Sequence, residues 1–369
     1  MNEWKEYKLK DVANVKYGKA HQSLSDGYIP AYGSGGLIRY VEKALYNEES
    51  ILIPRKGTLN NIIYKDEPFW TVDTMFWTEL NKKIIVPKYL FYQLSLIDFS
   101  NMNVGSAVPS MTIPILNDID IYVPSIPAQT AISSILSSLD DKIDLLHRQN
   151  ATLEKLAETL FRQWFVEEAK EEWEMGKVSD YAIHFKDSIQ PQKTPSTFYF
   201  HYSIPSFDNE KNPIKELGQE IQSNKYKVPE FCILFSKLNP HKDKRVWLLQ
   251  NEVGANAACS TEFQIVLPKS KQHLYFLYGW LTLNENYNEI ASGVGGTSGS
   301  HQRIDPNTIY NFQCPIFADD FIENINTQIK PLFQKQLTNQ TQIRTLTALR
   351  DTLLPKLMSG EVRVEKIKY

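Results

Sequence analysis

An internal repeat with a period of about 190 residues is the feature that most constrains the fold of this chain. At an offset of 191, the two copies read Gly105-Ser106, Ile113 and Pro124, then Gly296-Thr297, Ile304 and Pro315. At an offset of 193, a helical pattern over Thr152 to Leu160 recurs over Thr345 to Leu353. Solenoid repeats span only about 20–50 residues. The spacing therefore predicts a duplicated unit, in which a globular domain is followed by a helix.

The segment after each repeated proline has apolar residues three or four apart, sustained over about five heptads, which is typical of a coiled-coil seam. A helix from Ala128 to Phe165 is roughly 57 Å long and needs a partner, for which its own repeat is the obvious candidate. The predicted seam and partner-docking residues are Ile132, Ile135, Leu139, Ile143, Leu146, Leu153, Leu156 and Leu160 in the first helix, and Ile325, Leu332, Ile343, Leu346 and Leu353 in the second.

Polar residues interrupt both apolar stripes midway. Asn150 and Asn339 suit a buried polar layer that sets the register of the two helices, and a water-exposed gap is the alternative. Pro331 lies inside the second stripe, where a proline removes a backbone hydrogen bond. We expect the second helix to kink or restart there.

The segments outside the helices read as strands and turns, because short apolar runs are bounded by Gly, Pro, Asn and Asp. The predicted fold class is α+β, with two globular domains in a pseudo-twofold arrangement, separated by two long helices that form an antiparallel coiled coil. The predicted bounds are 1–124 and 173–315 for the domains, 125–172 for the central helix and 316–369 for the C-terminal helix and tail.

Charge and cysteine content exclude several classes of protein. Lys plus Arg is 40 and Asp plus Glu is 43, so the chain is not a uniformly basic nucleic-acid-binding body, although local basic patches remain possible. The 3 cysteines are far apart and form no C-x-x-C pair, as expected in a reducing compartment. The N-terminus lacks the apolar core of a signal peptide, and no apolar stretch is long enough to cross a membrane. We expect a cytoplasmic protein.

Several catalytic motifs are absent from the sequence. It contains no P-loop, no H-E-x-x-H, no [DN]-P-P-[FY] motif of amino-methyltransferases and no convincing carboxylate–lysine pattern of nucleases. The histidines are scattered. We therefore expect no catalytic residue, no metal site and no cofactor bound by this chain.

Basic turns are the best candidates for a functional surface. Each follows a predicted strand, and its cations can neutralise phosphates, while Arg, Lys and Asn can also read bases in the major groove. A solvated turn or plain loop is the alternative for each cluster. The candidate DNA-binding residues are Arg55, Lys56, Thr58 and Ser106 in the first domain, and Lys237, Asn239, Lys242, Lys244, Arg245, Thr297, Ser298, His301 and Arg303 in the second.

Over its full length, the chain resembles the specificity subunit of type I restriction–modification systems. The most specific resemblance is at the helix ends, Leu160-Phe-Arg-Gln-Trp-Phe165 and Leu349 to Gly360. Another recurrent feature of the family, Ile126-Pro-Ala-Gln129, opens the first helix. The domain motifs that carry it are Tyr32-Gly-Ser-Gly-Gly36, Ile53-Pro-Arg-Lys-Gly-Thr58, Phe235-Ser-Lys-Leu-Asn-Pro240 and Ser260-Thr-Glu-Phe263. Asp73-Thr-Met-Phe76 is the expected counterpart of the last motif in the first domain.

The resemblance implies a division of labour between subunits. Each globular domain would be a target recognition domain that reads one half of a bipartite, asymmetric site in double-stranded DNA. The helices would separate the two domains and dock two methyltransferase subunits, which would bring S-adenosylmethionine and methylate adenine at N6. Restriction and translocase subunits, using ATP and Mg²⁺, would complete the complex.

Three alternatives remain open from the sequence. The chain could be a self-contained methyltransferase or nuclease, in which case the isolated chain should bind S-adenosylmethionine. It could be a coiled-coil adaptor that joins two protein-binding modules. It could also be the recognition subunit of a fused methyltransferase–nuclease system, similar to type IIB enzymes. The bases recognised do not follow from the sequence, because readout depends on loop geometry and bound water.

Overall fold

The computed structural model describes residues 4–102, 110–295 and 302–364. The chain divides into two units: unit 1 consists of Met1–Asp144 and Arg344–Tyr369, and unit 2 of Leu145–Ile343. Each unit therefore contains a globular domain and a part of each long helix. Among the described residues, no helix has the length and apolar character that crossing a membrane requires.

Unit 1 begins with a globular domain. Its strands are β1 (Lys5–Lys8), β2 (Ala13–Tyr17), β3 (Asp26–Gly33), β4 (Gly36–Val41), β5 (Ser50–Pro54), β6 (Ile63–Lys65), β7 (Trp70–Thr71), β8 (Met75–Leu80) and β9 (Asp120–Val123). Its helices are α1 (Leu9–Val12), α2 (Pro87–Ser95) and α3 (Ile113–Asn117), with a 3-10 turn at Phe99–Met102. The first long helix, α4 (Ile126–Arg162), follows and ends in a π-helical turn at Gln163–Glu167.

The strands of unit 1 form three sheets. β1 pairs with β9, and the other two sheets have the strand orders β2-β8-β5-β6 and β4-β3-β7. β5 is central and all five of its residues are buried, as expected for a run of apolar residues covered on both faces. The β3–β7 pair is parallel, whereas the β5–β8 pair is antiparallel.

Unit 2 repeats this order of elements with additional strands and helices. Its strands are β10 (Met175–Lys177), β11 (Ala182–Phe185), β12 (Ser188–Ile189), β13 (Phe198–Tyr202), β14 (Ile214–Leu217), β15 (Lys225–Lys227), β16 (Cys232–Ser236), β17 (Val246–Leu249), β18 (Ala257–Cys259), β19 (Phe263–Pro268), β20 (Val294–Gly295), β21 (Arg303–Ile304) and β22 (Gln313–Pro315). Its helices are α5 (Val178–Tyr181), α6 (Ile204–Asp208), α7 (His273–Thr282), α8 (Asn284–Ser292), α9 (Pro306–Asn311) and the long α10 (Asp319–Met358), with 3-10 turns at Pro191–Lys193 and Gly218–Glu220.

Two sheets of unit 2 match those of unit 1 strand for strand, and a third shares its core pairing but has more strands. β10 pairs with β22 as β1 pairs with β9, and the order β11-β19-β16-β17 corresponds to β2-β8-β5-β6. The mixed sheet β12-β15-β18-β13-β14 contains the parallel pair β13–β18, which corresponds to β3–β7. A further pair joins β20 to β21. The duplication and the α+β class predicted from the sequence are confirmed.

The long helices run antiparallel within each unit. In unit 1, Asp140 of α4 pairs with Arg350 of α10 at 3.0 Å, and Leu136 lies in the same core cluster as Leu357. In unit 2, the side chain of Asn339 donates to that of Asn150 at 2.9 Å, and farther along α4 Phe161 shares a core cluster with Ile329. In both units α10 numbers fall as α4 numbers rise, as an antiparallel coiled coil requires.

The burial of side chains along the helices shows that one predicted seam residue is wrong. Most predicted seam positions are buried or half-buried, namely Ile132, Ile135, Leu139, Ile143, Leu146, Leu153, Leu160, Ile325, Leu332, Ile343, Leu346 and Leu353. Leu156, however, is 45% exposed, because the seam advances by four residues from Leu153 to Ala157 and then to Phe161. The pattern also missed Leu136, which is fully buried.

Two predictions on the helix interiors can be compared with the structure. α10 continues through Pro331, so the predicted restart is wrong. Pro331 is exposed, a position where water can bind the carbonyl group that loses its hydrogen bond. The polar layer is present: Asn339 is fully buried, and Gln336 also donates to the backbone oxygen of Asn150 at 3.0 Å.

Candidate nucleic-acid interface

The first predicted basic turn begins where β5 ends. The backbone amide of Arg55 donates to the oxygen of Thr74 at 2.8 Å, and the oxygen of Arg55 accepts from Met111 at 2.8 Å. Gly57 has a φ of +84°, the left-handed region that favours glycine. Main-chain hydrogen bonds therefore hold the turn, and its side chains are left for other contacts.

The second basic turn follows β16 and has the same backbone pattern. The amide of Lys237 donates to the oxygen of Glu262 at 2.9 Å, and the oxygen of Lys237 accepts from Ile304 at 3.1 Å. Asn239 has a φ of +47°, a conformation that asparagine adopts more readily than most residues. Arg55 is thus equivalent to Lys237, and Gly57 to Asn239.

Two further backbone hydrogen bonds correct the alignment of a neighbouring motif, Ser260-Thr-Glu-Phe263. The amide of Val72 donates to Tyr32 at 3.0 Å, and that of Ser260 donates to Tyr202 at 2.9 Å. Ser260 is therefore the counterpart of Val72, whereas the sequence placed it opposite Asp73. The one-residue difference arises because both segments share a threonine at the second position of the motif, which misled the comparison.

The side chains around the first turn form a small cluster. The guanidinium carbon of Arg55 lies 5.2 Å from the ring centre of Tyr17, and its Nη1 donates to the backbone oxygen of Asp73 at 3.1 Å. Lys56 and Thr58 are exposed. Ser34, from the Tyr32–Gly36 loop, accepts at its backbone oxygen from the side chain of Asn61 at 2.9 Å. The loop and the turn, found as separate sequence motifs, therefore lie together.

Cations converge at the second turn. Burial lowers the pKa of Lys237, Glu262 opposes this, and the positive charges of Arg303 and Lys186 lower it further. Burial also lowers the pKa of His184, with added repulsion from Lys186 and Lys237. Like charges held close together favour an anionic partner. Sequence reasoning missed Lys186 and His184, because they lie about 50 residues before the turn and reach it only through the sheet order β11-β19-β16.

Three predicted cations are already paired within the protein. Arg245 forms ion pairs with Asp208 and Asp243, and Arg303 forms a two-bond pair with Glu262 at 2.7 and 2.9 Å. The ammonium group of Lys244 donates to the backbone oxygen of Thr282 and to Asn284. These contacts weigh against the predicted role of the three residues as phosphate ligands, because binding DNA would require breaking them.

The other predicted residues are distributed as follows. Lys242 is exposed, and its backbone amide donates to the oxygen of Asn239 at 3.0 Å, which closes the second turn. Ser106, Thr297, Ser298 and His301 lie outside the described residues. The DNA-binding role of all these residues stays a prediction. Among the described residues, no group of three His, Cys, Asp or Glu side chains could hold a metal ion.

Comparisons with known proteins agree with this architecture. A family model described as the type I restriction modification DNA specificity domain matches residues 1–155. The type I restriction enzyme MjaIX specificity subunit of Methanocaldococcus jannaschii is 26% identical, over 97% of this chain and 86% of that protein. The HindI specificity subunit of Haemophilus influenzae is 21% identical, over 98% of this chain and 100% of its own length.

A solved structure shares the fold. The crystal structure of the type I restriction–modification S subunit from M. genitalium superposes with a TM-score of 0.66, at 13% sequence identity and over 96% of each chain. Nearly the whole chain is therefore similar in sequence to type I restriction enzyme specificity subunits, and residues 1–155 match the DNA specificity domain of these proteins.

Proposed function

We propose that this chain recognises a bipartite, asymmetric DNA site for a type I restriction–modification complex, with one half-site read by each unit. The observation that carries the proposal is the pair of basic turns, which have the same backbone hydrogen bonds and different side chains. Arg55 stands where unit 2 has Lys237, and Lys56 where it has Leu238. Equivalent frames with different side chains would contact DNA differently, so the two half-sites would differ.

The proposed DNA contacts can be tested on the assembled complex. Lys56→Ala should weaken binding to all sequences and reduce the dependence of log affinity on log salt by about one, as for the loss of one phosphate contact. Lys82→Ala removes an exposed lysine that is already paired with Glu49 and serves as the matched control. Unchanged affinity and salt dependence in Lys56→Ala would mean that this lysine is merely solvated.

The helices are the proposed docking surface for two methyltransferase subunits. The repeated helical pattern places an outward-facing leucine at the same position in each unit, since the equivalent residues Leu156 and Leu349 are both 45% exposed. Two equivalent apolar side chains suit two copies of the same partner. Leu156, which is wrong as a seam residue, thus keeps its predicted role in partner docking.

Docking can be measured by native mass spectrometry of the complex assembled with its cognate methyltransferase. Leu156→Glu and Leu349→Glu should each reduce the bound methyltransferase from two subunits to one, and the double variant should bind none. Leu96→Glu is the control, because Leu96 is also 45% exposed but lies outside the helices. Two bound subunits in both single variants, at wild-type affinity, would refute this surface.

The remaining functions are proposed for the partner subunits. The methyltransferases would bind S-adenosylmethionine and methylate adenine at N6, and the restriction and translocase subunits would use ATP and Mg²⁺. The genome-wide map of methylated adenines, compared with and without this gene, tests the whole proposal. A bipartite methylated site that vanishes with the gene supports it. S-adenosylmethionine bound by the isolated chain would favour a self-contained enzyme, and a complex without DNA affinity would favour an adaptor.

A further inference from the structure

The two equivalent basic turns have different neighbours on the adjacent strand. Tyr17 lies four residues after Ala13, the first residue of β2, and Lys186 lies four residues after Ala182, the first residue of β11. Because β2 and β11 are equivalent strands, Tyr17 and Lys186 occupy equivalent positions. Unit 1 thus places an aromatic ring beside its turn, where unit 2 places a second cation.

In unit 1, the ring orients the guanidinium group of Arg55. The group lies over the face of Tyr17, whose ring centre is 5.2 Å from that of Phe76, and one of its donors binds the backbone oxygen of Asp73. Within the described part of the chain, no other side-chain donor of Arg55 has a partner. Tyr17 is 51% exposed, so the stacked pair faces solvent. The stacking and the single backbone contact together hold the plane of the guanidinium with its remaining edge open.

Among the bases of DNA, guanine is the best ligand for an open guanidinium edge of fixed orientation. Arginine donates two parallel hydrogen bonds to O6 and N7 of guanine in the major groove, and prior orientation reduces the entropy lost on binding. From this geometry we infer that the half-site read by unit 1 contains a guanine contacted by Arg55, with Tyr17 as the positioning residue. The inference rests on the proposed function.

In unit 2, the equivalent pair cannot act in this way. Lys237 has no aromatic ring in the place of Tyr17, and it faces the charges of Lys186 and Arg303. Lysine is a point charge without a planar fork, so it suits a phosphate oxygen. The two turns would therefore have different tasks: the first would select a base, and the second would bind the DNA backbone.

The test uses the full chain assembled with its cognate methyltransferase and DNA libraries in which one half-site is randomised. The wild-type complex should require a guanine at one position of the first half-site. Arg55→Lys keeps the positive charge but should lower discrimination at that position roughly 5- to 150-fold, the range of one bidentate arginine–guanine contact. Tyr17→Leu should also lower this discrimination. Tyr17→Phe should keep the wild-type discrimination, because the ring face is retained.

Unit 2 provides the contrast and the control. Lys237→Gln should weaken binding to all sequences and reduce the salt dependence by about one, with selectivity at the second half-site unchanged. Discrimination at the second half-site should also stay intact in the Arg55 and Tyr17 variants, which shows that the protein is folded. Wild-type selectivity for guanine in both Arg55→Lys and Tyr17→Leu, or a first half-site without a required guanine, would overturn the inference. If the wild-type complex bound the DNA libraries without any sequence preference, the proposed function itself would be overturned.

Discussion

Gln129 connects the start of α4 to the globular domain of unit 1, and its removal should destabilise that unit strongly. The side chain is fully buried. Its Oε1 accepts from the amide of Val86 at 2.7 Å, and its Nε2 donates to the oxygens of Ile84 at 3.0 Å and Pro124 at 2.9 Å. In Gln129→Ala all three backbone groups lose their partner. This contact explains physically why the Ile-Pro-x-Gln motif opens the helix.

The size of the effect follows from the burial of the three groups. The carbonyl of Pro124 is buried and should cost about 1–3 kcal/mol when left unpaired, and the two partly buried groups about 1 kcal/mol each. The expected loss in the free energy of unfolding is thus about 3–5 kcal/mol, or about 10 °C in the melting temperature of unit 1.

Urea unfolding measures this loss, and hydrogen exchange should show faster exchange at the amide of Val86. Thr130→Ala is the matched control, since Thr130 is exposed on the next position of the helix and should change stability by less than about 0.5 kcal/mol. A loss below about 1 kcal/mol in Gln129→Ala would refute the reasoning.

Three further predictions concern packing, the polar layer and modularity. Gly279→Ala should destabilise unit 2 by about 1–3 kcal/mol in urea unfolding, because a β-carbon there would lie 2.0 Å from the buried ring of Phe161; an unchanged midpoint would contradict this packing. The double replacement Asn150→Leu with Asn339→Leu should be neutral or stabilising by about 1 kcal/mol, since Oδ1 of Asn339 is buried without a partner among the described residues; a marked loss would show that the layer stabilises the fold. Exchange of residues 173–315 for those of another family member should change one half-site of the methylated sequence, and a change in both would contradict modular reading.

Local signals predicted much of this structure. The repeat and the apolar stripes predicted the duplicated domains and the long helices, because periodicity of three and four residues is a direct consequence of helix geometry. The basic turns were found because each follows a buried strand. The error at Leu156 also has a local cause. On a helix, the next buried residue can follow after three or four positions, and only packing against the partner helix decides which of the two is buried.

The neighbours of the turns could not be predicted in the same way. Tyr17 and Lys186 reach the turns through strands that are adjacent in the sheet but distant in the sequence. The pairing of Arg303 with Glu262 likewise joins residues 41 positions apart. Sequence pattern identifies a cation, but the fold decides whether a carboxylate, a ring or solvent lies beside it. Long-range pairing therefore sets the chemistry of the candidate interface.

Main-chain hydrogen bonds hold both turns, and this has an evolutionary consequence. Backbone atoms are common to all residues except proline, so most substitutions at Arg55 or Lys237 leave the frame of the turn intact. Only the left-handed position, occupied by Gly57 or Asn239, restricts the choice of residue. Substitutions at Arg55 and Lys237 should therefore be nearly neutral for folding. Under the proposed function, point mutations at Arg55 alone would change the recognised DNA sequence while the stability of the fold stays constant.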